Sequence, residues 1–154
     1  MREILFRGKD FVTGKWVQGD LLHISSGCII YHGSQTESEI KENVGAAIEL
    51  FIDEVSVVDP ETVGQFTGLT DKNGVKIFEG DILEDKKGSI SVVKFGQFEA
   101  GKDDYDIEYM PVGFHILFSD EGTYCINLYG DGYAISAKEC SIVGNIHVNQ
   151  ELLK

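Results

Sequence analysis

The fold is decided by the stretch Gln65-Phe66-Thr67-Gly68-Leu69-Thr70-Asp71-Lys72-Asn73-Gly74-Val75-Lys76-Ile77-Phe78-Glu79-Gly80-Asp81-Ile82-Leu83. Asn73-Gly74 predicts a hairpin with a type I′ turn, because Asn tolerates the positive φ that such a turn needs and Gly adopts it freely. Gly80-Asp81 predicts a sharp corner between two strands, because Gly reaches backbone angles closed to other residues and Asp can accept hydrogen bonds from nearby N–H groups.

The composition of the whole chain favours the same kind of structure. The 154 residues are 42% hydrophobic and include 18 glycines and only two prolines, which is typical of many short strands joined by tight turns. We therefore predict an all-β fold of antiparallel strands with one or two short helices. The chain is long enough for one buried core, so residues 1–154 are expected to form a single domain. Two sublobes, N-terminal hairpins in 1–58 and a barrel in 59–154, are the alternative.

Apolar alternation and turn residues place the remaining elements. They predict a hairpin near 11–24 with its turn at Thr13-Gly14, strands over 28–32, 54–57 and 89–96, a hairpin over 114–129 and a last strand over 142–148. Short helical turns are expected after Asp59-Pro60 and after Asn149. The strand over 89–96 has apolar residues on both faces, so either both faces are covered or a bulge lies at Val92-Val93. The strand order around the central stretch resembles that of an SH3-like barrel.

The charge restricts the classes of partner. A formal net charge of −13 would repel a phosphate backbone, because DNA affinity comes largely from Lys and Arg that displace condensed counterions. We expect no direct binding to nucleic acid. The sequence contains no apolar run of about 18 residues, so a membrane-spanning helix is excluded on length, and no secretory leader is evident. A cytoplasmic protein whose acidic surface meets a basic protein, or imitates nucleic-acid charge, is expected.

Metal and cofactor sites are not indicated. Cys28, Cys125 and Cys140 lack a close pair, which excludes a disulfide framework and a four-thiolate zinc site within this chain. Cys28 and His32 are two ligands without a third. The acidic run over 102–109 lacks the Gly and the distant bidentate Glu of an EF-hand calcium loop, so we interpret it as a solvated acidic loop whose tyrosines also make it a candidate partner-contact loop. Its residues are Asp103, Asp104, Tyr105, Asp106 and Tyr109.

The central stretch resembles the signature of the YopX family of phage and prophage proteins. The opening Ile4–Asp10 and the closing Val143–Leu153 are similar to the two ends of the same family, so the resemblance covers nearly the whole chain. It implies no biochemical activity, because the family has none established. The residues that carry the family motif, which we interpret as structural, are Gln65, Thr67, Gly68, Leu69, Asp71, Asn73, Gly74, Phe78, Glu79, Gly80, Asp81, Gly144 and Asn145.

No catalytic constellation is evident in the sequence. It has no Gly-x-Ser-x-Gly elbow, no phosphate-binding glycine loop and no His-Glu-x-x-His motif. We therefore expect a non-catalytic accessory protein that forms a homo-oligomer and binds another protein. Imitation of DNA to inhibit a basic host protein is one alternative. A hydrolase or nucleotide-handling enzyme is another, and it requires His115, Asp71 and Glu79 to converge in one pocket.

Overall fold

The computed structural model describes residues 3–33, 54–97, 112–118, 122–127 and 134–153. Within them the chain is mainly β with antiparallel sheets, as the sequence predicts. No helix among these residues is long and apolar enough to cross a membrane. The strands are β1 (Phe6–Lys9), β2 (Trp16–Ile24), β3 (Gly27–Tyr31), β4 (Val55–Val58), β5 (Gly64–Thr70), β6 (Lys76–Phe78), β7 (Asp81–Glu84), β8 (Ile90–Gln97), β9 (Val112–Phe118), β10 (Gly122–Asn127), β11 (Ala134–Ser136) and β12 (Ser141–Asn145).

The chain divides into two compact units, Met1–Gln65 and Phe66–Lys154. This division falls inside β5, whereas the sequence suggested a boundary after residue 58. In the first unit, β1 pairs antiparallel with β2, β2 with β3, and β3 with β4. The hairpin near 11–24 and the strands near 28–32 and 54–57 are thus confirmed. The β1–β2 turn contains Gly14 with φ +68°, where the left-handed backbone favours glycine.

Hydrogen bonds join β4 and the residue after it to β1 and its extension. The N–H of Asp59 donates to the carbonyl of Lys9 at 2.9 Å, and the N–H of Phe11 donates to the carbonyl of Val57 at 2.8 Å. The start of β1 also pairs with the first residues of β5. The strand β1 and its extension therefore contact three strands, β2, β5 and β4.

The core of the first unit is small and tightly closed. Cys28, Ile30 and Val58 are buried at its centre. Gly8 in β1 lies directly against the side chain of Val58, because a Cβ placed on Gly8 would be 2.9 Å from the Cβ of Val58. A β-branched side chain that is stiff about χ1 cannot turn away from such a contact. The absence of a side chain at Gly8 is therefore what lets β1 approach β4.

The second unit contains a six-stranded sheet. The central hairpin, β5 with β6, is present as predicted. Beyond the corner after β6, the strands pair in the order β11-β10-β9-β8-β7-β12. These pairs are antiparallel except β10 with β11, which is parallel. The pairing of β9 with β10 confirms the hairpin predicted over 114–129.

The strand β8 is covered on both faces in its first half. Val92 and Val93 are both buried, whereas Phe95 is 51% exposed, and β8 pairs in continuous register with β7 and with β9. The structure therefore has no bulge at Val92-Val93, and both faces are covered there but not at Phe95. The buried core of the unit consists of Ile77, Leu83, Val93, Ile116, Ala137 and Cys140.

The helical residues of the described part are three short 3₁₀ segments, Pro60–Thr62, Ala137–Glu139 and Gln150–Leu153. The first begins as predicted, with the carboxylate of Asp59 accepting the N–H of Glu61 at 3.1 Å and Pro60 at the first helical position. The last follows Asn149, also as predicted. Both predicted turns are therefore present, in the tighter 3₁₀ form that is frequent in short segments.

The last strand of the second unit is shorter than the sequence predicts. The last strand ends at Asn145 and not at residue 148, because the N–H groups of Val148 and Asn149 donate to the carbonyl of Asn145 and turn the chain. An SH3-like barrel would require the sheet to close. Among the described strands, β11 and β12 at the two ends of the sheet are not paired with each other, so the barrel stays a prediction.

The contact at Gly8 can be tested by substitution. In Gly8→Ala the added methyl group would overlap Val58, so we expect the free energy of unfolding to fall by about 1–3 kcal/mol, measured by urea denaturation. Gly113→Ala is the matched control, because a Cβ at Gly113 would have nothing within 4 Å. An equal effect of the two substitutions would contradict this account of the packing.

Candidate functional site

The carboxylate of Asp71 organises the central hairpin turn. Its Oδ1 accepts the N–H groups of Asn73 at 2.8 Å and Val75 at 2.9 Å. The carbonyl of Asp71 accepts the N–H of Gly74, which has φ +81°. The turn therefore spans 71–74 with glycine in its last position, which is the pattern of a turn followed by a left-handed glycine. The predicted hairpin is confirmed, but the prediction of a turn centred on Asn73-Gly74 is wrong.

The same turn occurs a second time along the chain. In the β7–β8 connection, Oδ1 of Asp85 accepts the N–H groups of Lys87 at 2.7 Å and Ser89 at 2.9 Å. The N–H of Gly88 donates to the carbonyl of Asp85, and Gly88 has φ +84°. Both turns thus place Asp three positions before Gly. This spacing is visible in the sequence, and it would have identified the correct turn form.

Asp71 differs from Asp85 in reaching a distant strand. Its Oδ2 accepts the N–H of Ile142 in β12 at 3.2 Å, and the neighbouring N–H of Lys72 donates to the carbonyl of Cys140 at 2.9 Å. Asp71 is buried with 4% of its surface exposed. The hairpin turn is therefore fastened to the C-terminal part of the second unit, a contact that no pattern in the sequence indicates.

The pKa of Asp71 reflects these bonds. Burial by itself raises the pKa, but the hydrogen bonds from Val75, Ile142 and Asn73 together lower it by more than burial raises it. The pKa therefore lies below its ordinary value. Donors that point at a carboxylate favour its charged form. Asp71 is therefore an anion at neutral pH that is bound to backbone N–H groups.

The Gly80-Asp81 corner is built by the same chemistry. Oδ2 of the buried Asp81 accepts the N–H of Phe78 at 2.8 Å, while Gly80 has φ +82°. The N–H of Gly80 donates to the carbonyl of Val93, and its carbonyl accepts the N–H of Ile146, both at 2.9 Å. The predicted corner between β6 and β7 is thus confirmed.

The C-terminal motif residues lie against this corner. Asn145 pairs with Asp81 in the β7–β12 ladder, and its Oδ1 accepts the N–H of His147 at 3.0 Å. A Cβ at Gly80 would be 3.2 Å from Nδ2 of Asn145, and one at Gly144 would be 2.8 Å from Oδ1 of Asn149. The two separate parts of the motif are therefore in contact.

The other motif residues serve the β5–β6 hairpin. Thr67 Oγ1 donates to the carbonyl of Ile77 at 2.9 Å and accepts the N–H of Leu69 at 3.1 Å. Gly68, with φ +87°, lies where the β5–β6 register shifts. Gln65 is opposite Phe6 of β1. The ring of Phe78, buried, is 5.5 Å from that of Phe66.

The hydrolase alternative requires His115, Asp71 and Glu79 to converge in one pocket. His115 is buried in β9, with Nδ1 3.2 Å from the carbonyl of Gly113. The Asp71 carboxylate is occupied by Asn73, Val75 and Ile142, so neither His115 nor Glu79 is among its hydrogen-bond partners in the described part of the chain.

Two further predictions concern ligands. In the portion of the chain that is described, no group of three or more His, Cys, Asp or Glu side chains could hold a metal ion. The predicted partner-contact loop, with Asp103, Asp104, Tyr105, Asp106 and Tyr109, lies outside the described residues. Its role stays a prediction.

Comparison with known proteins bears on this arrangement of motif residues. Residues 5–154 match the family model described as YopX protein. The chain belongs to the YopX family. The resemblance noted in the sequence is thus confirmed, and it includes both motif segments that meet at the Gly80 corner. The crystal structure of protein EF1440 from Enterococcus faecalis covers 100% of each chain with 20% identity and a TM-score of 0.40. A comparison with curated proteins finds no match.

The role of Asp71 in this YopX-family protein predicts a pH dependence. Because its pKa is lowered on folding, its contribution to stability is fully present above the ordinary Asp pKa and is lost as pH falls through the lowered value. Asp71→Asn should reduce the free energy of unfolding at neutral pH by about 1–3 kcal/mol. The difference from wild type should shrink as the pH falls below about 4.

The control for this experiment is Asp85→Asn, which alters the same kind of turn without a bond to a distant strand. We expect it to cost less at neutral pH than Asp71→Asn in the same urea titrations. If the two variants lose equal stability, the Asp71–Ile142 bond does not fasten the hairpin turn.

Proposed function

We propose that this YopX-family protein is a non-catalytic phage or prophage accessory protein that acts in the cytoplasm by self-association and by binding another protein. The observation that carries the proposal is an exposed apolar face on the sheet of the first unit. Large exposed apolar patches on soluble proteins often mark interaction sites, because leaving them in water is unfavourable. Direct binding to nucleic acid is not part of the proposal.

The apolar face is continuous across three strands. Leu22 of β2 is opposite Ile29 of β3, and Ile29 is opposite Val57 of β4, so the three side chains lie in one row on one side of the sheet. Ile24, two residues after Leu22, extends the same face. Leu22, Ile24 and Val57 are all exposed. Together with Phe11 these residues are called the apolar face below.

The β1–β2 turn adds a rigid apolar projection. Phe11 lies beside Val57 through its backbone hydrogen bond, and Phe11 and Val12 are 70% and 91% exposed. The carboxylate of Asp10 accepts the N–H groups of Val12 at 3.1 Å and Thr13 at 2.7 Å, as well as the hydroxyl of Thr13. A turn already held in one shape loses little entropy when a partner binds it.

The charge distribution bears on the kind of partner. The first unit contains five basic and eleven acidic residues, and the second contains eight and fifteen. The negative charge is thus shared between the units, which favours a generally acidic surface that meets a basic rim on a partner. The DNA-mimic alternative, which needs the carboxylates gathered into one band, stays a prediction.

The hydrogen bonds of Asp71 and the pairing of β7, β8 and β9 bear on the hydrolase alternative and on the SH3-like barrel. The occupied carboxylate of Asp71 gives the hydrolase alternative no free base at that position. The SH3-like barrel remains part of the proposal for the C-terminal unit, supported by the adjacent positions of β7, β8 and β9 after the Gly80-Asp81 corner.

Two matched valines test the apolar face. Val57 and Val75 are 54% and 53% exposed, and only Val57 lies on the apolar face. If copies of the chain associate through this face, Val57→Thr should weaken the association constant about tenfold, because a hydroxyl would be buried where a methyl group packs. Val75→Thr should leave it unchanged. Light scattering over a range of protein concentrations measures both.

A second measurement addresses a different protein partner. Wild type and both variants would be used as bait in host lysate, and the proposal expects a captured protein that Val57→Thr loses and Val75→Thr retains. A wild-type protein that stays monomeric at all concentrations and captures nothing that depends on Val57 would overturn the proposal.

A further inference from the structure

A thiol and an imidazole meet across two strands of the first unit. Cys28 of β3 is the register partner of His23 in β2, and Sγ of Cys28 lies 3.5 Å from Nδ1 of His23. This is within the reach of a hydrogen bond to sulfur. A nucleophile with a base in such contact is the arrangement that activates cysteine in enzymes and redox sensors.

Of the described side chains, His23 is the one that makes a hydrogen-bond contact with the sulfur. On the other side of β3, Cys28 is opposite Val58 of β4, and the apolar residues packed in this core are Ile30, Val58, Val17, Leu21 and Val63. His23 itself is exposed at the rim of the core, while only 6% of the surface of Cys28 is exposed. Solvent therefore reaches the base more easily than the sulfur.

We propose that Cys28 and His23 form a nucleophilic pair that small hydroperoxides oxidise at the sulfur. The thiol proton passes to Nδ1 of His23, and the thiolate attacks one oxygen of the peroxide. The S–O bond forms to the terminal O–H oxygen as the O–O bond breaks, and the departing hydroxide or alkoxide takes the proton from the imidazolium. Cys28 becomes a sulfenic acid, and the peroxide is reduced to water or an alcohol. This inference is independent of the proposed function.

Because so little of Cys28 is exposed, only a small oxidant can reach its sulfur. A hydroperoxide needs to present only one oxygen to the sulfur, whereas a disulfide or a bulky electrophile would need the core to open. Cys140 provides a contrast within the same chain. Its Sγ donates to the carbonyl of Ser136 and not to an imidazole. Burial raises its pKa to about 11, so Cys140 stays a thiol.

The experiment treats the full-length protein with hydrogen peroxide and traps sulfenic acid with dimedone, with the adduct at each cysteine measured by mass spectrometry. Cys28 should be labelled in wild type and Cys140 should not. In His23→Gln the labelling rate of Cys28 should fall at least about tenfold at pH 7, because the base is lost. His32→Gln is the matched control, since His32 is also exposed and contacts Ser56.

The pH profile separates activation from a merely structural role of His23. The pH dependence of the labelling rate of Cys28 should differ between wild type and His23→Gln, because the imidazole that accepts the thiol proton is absent from the variant. Circular dichroism checks that each variant is folded. An unlabelled Cys28, the same pH dependence in wild type and His23→Gln, or equal rates in the two histidine variants would overturn the proposal.

Discussion

The structure depends on carboxylates that satisfy backbone N–H groups where the chain bends. A tight turn removes N–H groups from the strand ladder, and buried donors without an acceptor are costly. Asp71 supplies acceptors for Asn73 and Val75 at the turn and for Ile142 in β12. Asp81 does the same for the corner at Phe78. Glycine permits each bend, and aspartate makes it stable.

Local features of this fold could be predicted from the sequence, because they follow from short-range chemistry. Two-residue alternation and glycine-containing turns are enough to place β1, β2 and the hairpin around Asp71. The Asp71–Ile142 bond could not be predicted, because it joins residues 71 positions apart. Local patterning indicates that a strand exists but does not identify its distant neighbour.

The apolar face and the Cys28–His23 contact both follow from the register in which the strands pair. The sequence does not specify this register for the first sheet. The run Leu21-Leu22-His23-Ile24 is apolar on both faces of β2, so alternation cannot tell which face is covered. For the same reason Cys28 was compared with His32, four positions along the chain, whereas the strand pairing places it beside His23. The contact role of the loop at Asp103 is inferred from composition alone, and it stays a prediction.

The hydrogen bonds between β4 and the extension of β1 also limit how this unit can meet other chains. At Val57 and Val58, β4 has β3 on one side and the extension of β1 on the other, so its main-chain groups there are already used. An extended segment of a foreign polypeptide cannot add to the sheet at that position, which is the common route to runaway aggregation of exposed strand margins. Recognition at this end of the unit is left to side chains, whose shape and chemistry can discriminate between partners.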